Sequence, residues 1–259
     1  MHWSHISVFL GKSAEYIGVG SLLLIAAAGI RRRRAVHNEG LTAYKQAVVN
    51  DMAEPISLHP FIDPVRCAGC GACAAECRFD AITIQHFHDV QILAQISAAL
   101  AEEPGRKIIT FLCNWCSYAA GDLTGVSRIQ YPPNNRFIRV MCSARVSEKF
   151  IWHAFRLGAP VVLLSGCHIG DCHYISANHW TLKRADKIWN RMEKLGIRPE
   201  RLQLEWISAA EGPRFAQIMR DLEKMRQKVT AEEIDHTKKM LAVNGLQGST
   251  DMNEEAKVI

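Results

Sequence analysis

The chain contains no Gly-x-Gly-x-x-Gly segment, so it carries no dinucleotide-binding turn and no flavin domain of that type. It has no internal repeat. It has no run of about 20 apolar residues free of charge, the length a membrane-spanning helix needs. No aromatic residues are interleaved with its basic block Arg31-Arg32-Arg33-Arg34, which argues against a nucleic-acid surface there. No arrangement of residues reads as a general base or a substrate pocket. The chain is therefore not expected to transform a substrate by itself.

What the sequence has is cysteine, nine in 259 residues, and none is scattered. Four form one run, Cys67-x2-Cys70-x2-Cys73-x3-Cys77. Five more stand at Cys113-x2-Cys116, Cys142 and Cys167-x4-Cys172. Disulfides would require an oxidising compartment, but close Cys-x2-Cys pairs on tight loops suit a metal better than a structural bridge. Thiolate ligation in turn favours a reducing, cytoplasmic interior.

The first run has the spacing of a bacterial ferredoxin. A [4Fe–4S] cube needs one thiolate per iron corner, and two-residue spacers let three sulfurs from one loop wrap it. Gly69 and Gly71 keep that loop free of side-chain crowding. Asp80-Ala81-Ile82-Thr83-Ile84 then reads as the strand that closes a ferredoxin half. Arg78 stands where proline commonly follows the fourth cysteine, and no second run exists. In two-cluster ferredoxins the fourth cysteine ligates the other cluster. Cys77 therefore either closes its own cluster or serves one shared with a partner chain.

Five segments are expected along the chain. Residues 1–34 hold an apolar helix, uncharged from Ile17 to Ile30 and followed by the four arginines. Extended back to Ile6 it reaches spanning length but includes Lys12 and Glu15, which share a helix face and can pair or snorkel. The arginines satisfy the positive-inside rule for a membrane anchor with the bulk of the chain in the cytoplasm. A buried helix packed on a partner is the alternative. A cleaved signal peptide fits poorly, because the basic block follows the apolar region. Residues 35–60 read as a polar connector, 61–105 as the ferredoxin-like [4Fe–4S] segment with a linker helix, 106–229 as an α/β domain and 230–259 as a polar tail.

Within 106–229, Ile108–Leu112, Phe137–Met141, Val161–Leu164 and Leu202–Ile207 are apolar segments of strand length. Between them, helical spacing marks Val146 to Leu157, Leu182 to Leu195 and a third helix from Pro213. The alternation predicts an α/β fold with a small parallel sheet. In such a sheet all strand carboxyl ends point to one edge, where ligands gather. Cys113, Cys142 and Cys167 each follow a strand, so five thiols are expected on that rim. Four suffice for a [2Fe–2S] rhomb, and the sequence does not choose which four. His168 and His173 flank the last pair. A Rieske-type site using two histidines is one alternative, and hydrogen bonds from them to cluster sulfur are the preferred reading. Arg139, Arg145 and His173 are candidate tuners of the cluster potential.

Four motifs then carry a resemblance. Cys113-Asn-Trp-Cys116-Ser-Tyr118, Arg139-Val-Met-Cys142-Ser-Ala-Arg145, Gly166-Cys-His-Ile-Gly-Asp-Cys-His-Tyr174 and Ser208-Ala-Ala-Glu-Gly212 resemble, in order, the delta subunit of methyl-viologen-reducing hydrogenase. The Cys67–Cys77 run followed by His86-Phe-His-Asp-Val-Gln-Ile-Leu-Ala-Gln95 is similar to the C-terminal ferredoxin-like end of the A-type subunit of heterodisulfide reductase. The resemblance implies a [2Fe–2S] cluster beside the [4Fe–4S] one. It also implies an electron relay between a hydrogenase, formate dehydrogenase or quinone-linked subunit and a flavin-containing heterodisulfide reductase A-like subunit. One of the two expected ferredoxin runs is missing, and residues 1–34 belong to neither family. Two other classes remain: a zinc-stabilised interaction or nucleic-acid-binding module, and a thiol–disulfide oxidoreductase using Cys113 and Cys116. The second leaves three thiols unexplained.

Overall fold

The computed structural model describes residues 62–63, 65–84 and 87–245. The expected apolar helix of residues 1–34, the connector 35–60 and the last residues of the tail lie outside them.

Four strands, β1 (Ile108–Cys113), β2 (Asn135–Val140), β3 (Val162–Gly166) and β4 (Leu202–Trp206), form one sheet in the order β2-β1-β3-β4. All three pairings are parallel, with Phe111 opposite both Ile138 and Leu164. Among the described residues seven α-helices accompany them: α1 (Ala72–Glu76), α2 (Asp89–Leu100), α3 (Ser117–Val126), α4 (Glu148–Arg156), α5 (Ala177–Lys194), α6 (Gly212–Gln227) and α7 (Ala231–Val243).

Strand periodicity of two sends alternate side chains to opposite faces. Ile109 and Phe111 of β1, with Val162 and Leu164 of β3, join a core built by α2, α4 and α5. Ile108 and Leu112, with Leu163, join a second core built by α3 and α6 through Ala120, Phe215 and Met219. Both central strands are thus buried on two sides, which explains their near-continuous apolar sequence. Each fully buried Ile, Leu or Phe contributes about 1.5–3 kcal/mol relative to exposure.

The strand order reverses between β1 and β3. After β1 the chain crosses to β2 by way of α3 on one face. After β3 it crosses to β4 by way of α5 on the other. The loops leaving β1 and β3 therefore part company at the carboxyl edge and leave a crevice, the place where open α/β sheets hold ligands.

Three expectations change. Residues 80–84 form no strand. A lone strand has unpaired backbone groups, and no second ferredoxin half lies among the described residues to pair with it. The helix of residues 89–100 is more than a linker: Ile92, Leu93, Ile96 and Leu100 recur on one face and enter the main core. The polar tail begins as helix α7, with Thr237 and Leu241 fully buried on one face. Thr230 caps it by accepting from the Glu233 N–H at 3.2 Å. The buried Arg201 clamps it, donating to Thr237 Oγ1 at 2.5 Å and to the carbonyls of Pro160 and Ala159 at 2.7 and 3.1 Å.

Candidate metal centre

Cys113 closes β1, and Cys116 opens α3 three residues later. Ser117 Oγ accepts from the Cys113 N–H at 3.0 Å and donates to the Ser165 carbonyl at 3.3 Å, which pins the β1 loop to the end of β3. On the β3 side, Asn178 Nδ2 donates to the carbonyls of Cys167 and His168 at 3.1 and 3.0 Å. These two anchors hold the crevice loops so that the Sγ atoms of Cys113, Cys116 and Cys167 all lie within 4.8 Å of one another, with Cys113 and Cys167 4.0 Å apart. All three are buried.

A disulfide needs sulfurs at about 2.05 Å, so none is formed here. The sulfurs stand at a separation at which one soft cation or cluster can bind them together. The same proximity couples the acidities of these thiols. Cys116, Cys142 and Cys167 together hold the Cys113 thiol far below its ordinary range. In return Cys113 raises Cys116 and Cys142, and lifts Cys167 to about 11. Positive charge in the crevice would favour the thiolate forms of these crowded sulfurs together.

Cys142 enters a single 3₁₀ turn, Ser143–Arg145, two residues beyond β2. It is buried with Cys172, Ala144 and Ala177, and Cys70, Ala72 and Tyr174 pack against this group. Cys142 thus stands near Cys113 and belongs to the group against which Cys70 packs. A cavity of about 240 Å³ opens beside Cys116 and Cys167, lined also by Trp115, His168 and His173. His173 stacks on Trp115 with centroids 3.8 Å apart, and Trp115 Nε1 donates to Tyr174 Oη at 2.9 Å. His168 Nε2 is occupied by Glu211 Oε2 at 2.7 Å. The Ser208 N–H, followed by His168, brings the Glu211 carboxyl down to about 2. Arg139 is exposed, over the Tyr118 ring at 5.3 Å, and does not line this cavity.

In the ferredoxin-like loop, Cys67 and Cys73 are exposed, while Cys70 and Cys77 are half-buried. Their sulfurs do not form a compact group like that of Cys113, Cys116 and Cys167. Two buried arginines fasten the loop to the sheet domain. Arg184 on α5 donates through Nε and Nη2 to Glu76 at 3.0 and 2.6 Å, and through Nη1 to the carbonyls of Ala144 and Val146. Arg145 pairs with Asp89 and donates to the Phe87 carbonyl at 2.8 Å. Arg184, Glu76, Asn178 and Ser117 had no expected role in the sequence. Glu76 and Arg184 are 108 positions apart, and no local pattern links them.

A ferredoxin-type four-cysteine loop thus packs against a parallel sheet whose carboxyl edge is lined with thiols. Comparison with known proteins adds to this. A family model described as methyl-viologen-reducing hydrogenase, delta subunit, matches residues 108–230, and one for a 4Fe-4S binding domain matches residues 60–83. The chain is 47% identical over 123 residues to the D-type (vhc) iron-sulfur subunit of the F420-non-reducing hydrogenase of Methanococcus voltae, covering 48% of this chain and 85% of that protein. It is 44% identical over 124 residues to the D-type iron-sulfur subunit of the F420-non-reducing hydrogenase of Archaeoglobus profundus, covering 48% and 90%. It is also 46% identical over 202 residues to the A-type subunit of the ferredoxin:CoB-CoM heterodisulfide reductase of Methanosarcina mazei, covering 66% of this chain and 25% of that protein. The chain thus spans about a quarter of the length of that longer relative. It belongs to the methyl-viologen-reducing hydrogenase delta subunit family.

Proposed function

We propose that this chain passes single electrons between two iron–sulfur centres within a larger oxidoreductase. Cys67, Cys70, Cys73 and Cys77 hold a [4Fe–4S] cluster. Cys113, Cys116, Cys142 and Cys167 hold a [2Fe–2S] cluster, and Cys172 is the thiol left over. The sulfurs of Cys113, Cys116 and Cys167, all within 4.8 Å of one another, support three of these, and Cys142, buried just past β2, is the fourth. The observation that carries the relay is the packing of Cys70 against the group that contains Cys142 and Cys172. A ligand of one centre therefore packs against the buried group that includes a ligand of the other, so the two centres are neighbours within one fold. The protein sets each potential through hydrogen bonds to sulfur, charge and solvent exposure.

The partners are a flavin-containing heterodisulfide reductase A-like subunit on one side and a hydrogenase, formate dehydrogenase or quinone-linked subunit on the other. Likeness to relatives named as heterodisulfide reductase and hydrogenase subunits supports the first and the hydrogenase. The uncharged stretch Ile17–Ile30 before Arg31–Arg34 supports tethering to the cytoplasmic face of a membrane. Among the described residues no helix is long and apolar enough to cross one.

Single Cys→Ser variants, purified without oxygen and read by electron paramagnetic resonance after reduction, test the assignment. Cys70→Ser should remove the cubane signal and keep the two-iron one, Cys167→Ser should do the reverse, and Cys172→Ser should keep both. Tetrahedral zinc also places thiolate sulfurs at similar spacing, from a Zn–S bond of about 2.3 Å. Stoichiometric zinc in place of a two-iron signal would therefore overturn the [2Fe–2S] reading.

A further inference from the structure

Three arginines are buried in the described fold: Arg145, Arg184 and Arg201. Burial of a guanidinium is costly unless its N–H groups find acceptors. Arg184 and Arg201 follow the rule, since Nε, Nη1 and Nη2 of each have an acceptor. Arg145 does not. It is 1% exposed, yet its Nε and Nη1 are sealed from water with no hydrogen-bond partner. Only Nη2 is used, on Phe87 and Asp89.

Arg145 lies against the ferredoxin loop. Its stem lies flat against Gly71, between Cys70 and Cys73: a Cβ on Gly71 would meet Arg145 Cδ at 2.6 Å and Cγ at 3.3 Å. Its backbone N–H donates to the Cys142 carbonyl at 3.0 Å, so it begins at the other thiol group, passes the ferredoxin loop at Gly71 and ends at Phe87 and Asp89. The Phe150 ring supports the guanidinium, 5.3 Å from Cζ to the centroid. Held on that ring and by Asp89, the cation has two idle donors beside a loop whose thiolates and sulfides would be anionic acceptors.

We propose that Arg145 is a positioning residue for the [4Fe–4S] cluster, donating Nε–H and Nη1–H to its sulfur ligands and raising its reduction potential. This rests on the reading of Cys67–Cys77 as cluster ligands. On reduction one electron enters the cluster from the donor, the cluster gains one negative charge, and no proton moves, because arginine stays charged. A fixed cation beside the cluster favours that added charge. The arginine is built into the sheet domain, so the fold that carries the two-iron centre also sets the potential of the four-iron one.

The test is potentiometric titration of the full-length, cluster-loaded protein, following both reduced signals by electron paramagnetic resonance. Arg145→Gln should shift the ratio of reduced to oxidised cubane at fixed potential at least tenfold toward oxidised, about 59 mV for a one-electron couple. The two-iron signal should stay in place, and Arg145→Lys should recover part of the shift. Arg184→Gln loosens the same loop without touching the idle donors and should leave the cubane potential unchanged. An unshifted potential in Arg145→Gln, or an equal shift in Arg184→Gln, would overturn the proposal while leaving the cluster assignment intact. If Arg145→Gln assembles no cubane, Arg145→Lys decides: a lowered potential supports the proposal and an unchanged one overturns it. A wild-type chain with no cubane signal would instead remove the functional reading beneath it.

Discussion

Replacing Gly71 with alanine should damage the ferredoxin loop far more than the same change at Gly69, although the two glycines share a backbone conformation. Their φ angles are +76° and +77°, so alanine at either incurs the same left-handed strain, about 1–2 kcal/mol. Around Gly69 nothing lies within 4 Å of an added Cβ. At Gly71 the methyl would stand 2.6 Å from Arg145 Cδ, and the arginine cannot yield, because Asp89 and Phe87 hold its far end. Overpacking of this kind adds about 1–3 kcal/mol, so Gly71→Ala should cost about 2–5 kcal/mol and Gly69→Ala about 1–2 kcal/mol. Thermal melts of the two variants should separate in that order. Iron analysis should find Gly71→Ala depleted of the four-iron cluster and still carrying the two-iron one. Arg145→Ala in the Gly71→Ala background should narrow the gap, since it removes the atoms in collision, and the two changes should be non-additive. Equal melting points for Gly69→Ala and Gly71→Ala would refute the packing of Arg145 beneath the loop.

Other consequences follow from elements away from the thiols. His153 is buried on α4; Arg156 can only donate to its Nδ1, at 2.6 Å, so Nε2 carries the proton toward Ser97 Oγ, at 2.8 Å. Burial, with Arg156 adding to it, brings the imidazole down from 6.5 to about 4. The neutral ring therefore favours the fold fully above about pH 6.5, and that contribution, about 3 kcal/mol at 1.36 kcal/mol per unit, fades as pH falls toward 4. Denaturant titrations from pH 7 to 4 should show this loss, and His153→Gln should flatten it; an unchanged slope would contradict it. Leu241→Ala removes a fully buried side chain on α7 and should cost about 2–5 kcal/mol in denaturation, whereas a dispensable tail would show no change. Deleting residues 1–34 should move the protein from the membrane to the soluble fraction, and a full-length chain already soluble without partners would rule out the anchor.

The alternation of short apolar runs with helical periodicity was enough to place β1, β3, α5 and α6, because both central strands are buried on two faces and are nearly all Ile, Leu, Val and Phe, with Thr110 the interruption in β1 and Ser165 near the end of β3. The cysteine rim followed from the parallel-sheet rule, since Cys113 ends β1 and Cys142 and Cys167 stand one or two residues past β2 and β3. Two errors have local causes. Residues 80–84 have strand composition, but a strand exists only with a partner, and composition does not supply one. Helix α7 hides behind charged residues, yet Thr230-Ala-Glu-Glu233 is a capping signal ahead of Ile234, Thr237 and Leu241. The fastening of the loop was out of reach for a different reason: Arg145 meets Asp89 across 56 positions, and Arg184 meets Glu76 across 108. Such pairs are made by the tertiary fold, and neither residue has a neighbour in sequence that foretells it.

The central claim is two iron–sulfur centres in one chain, four irons in the loop and two in the crevice. Mössbauer spectroscopy of anaerobically purified, iron-57-labelled protein measures it most directly. Two components in a ratio of about four irons to two, totalling about six per chain, are the expected result. A colourless protein with stoichiometric zinc, or one cluster type accounting for all of the iron, would contradict it.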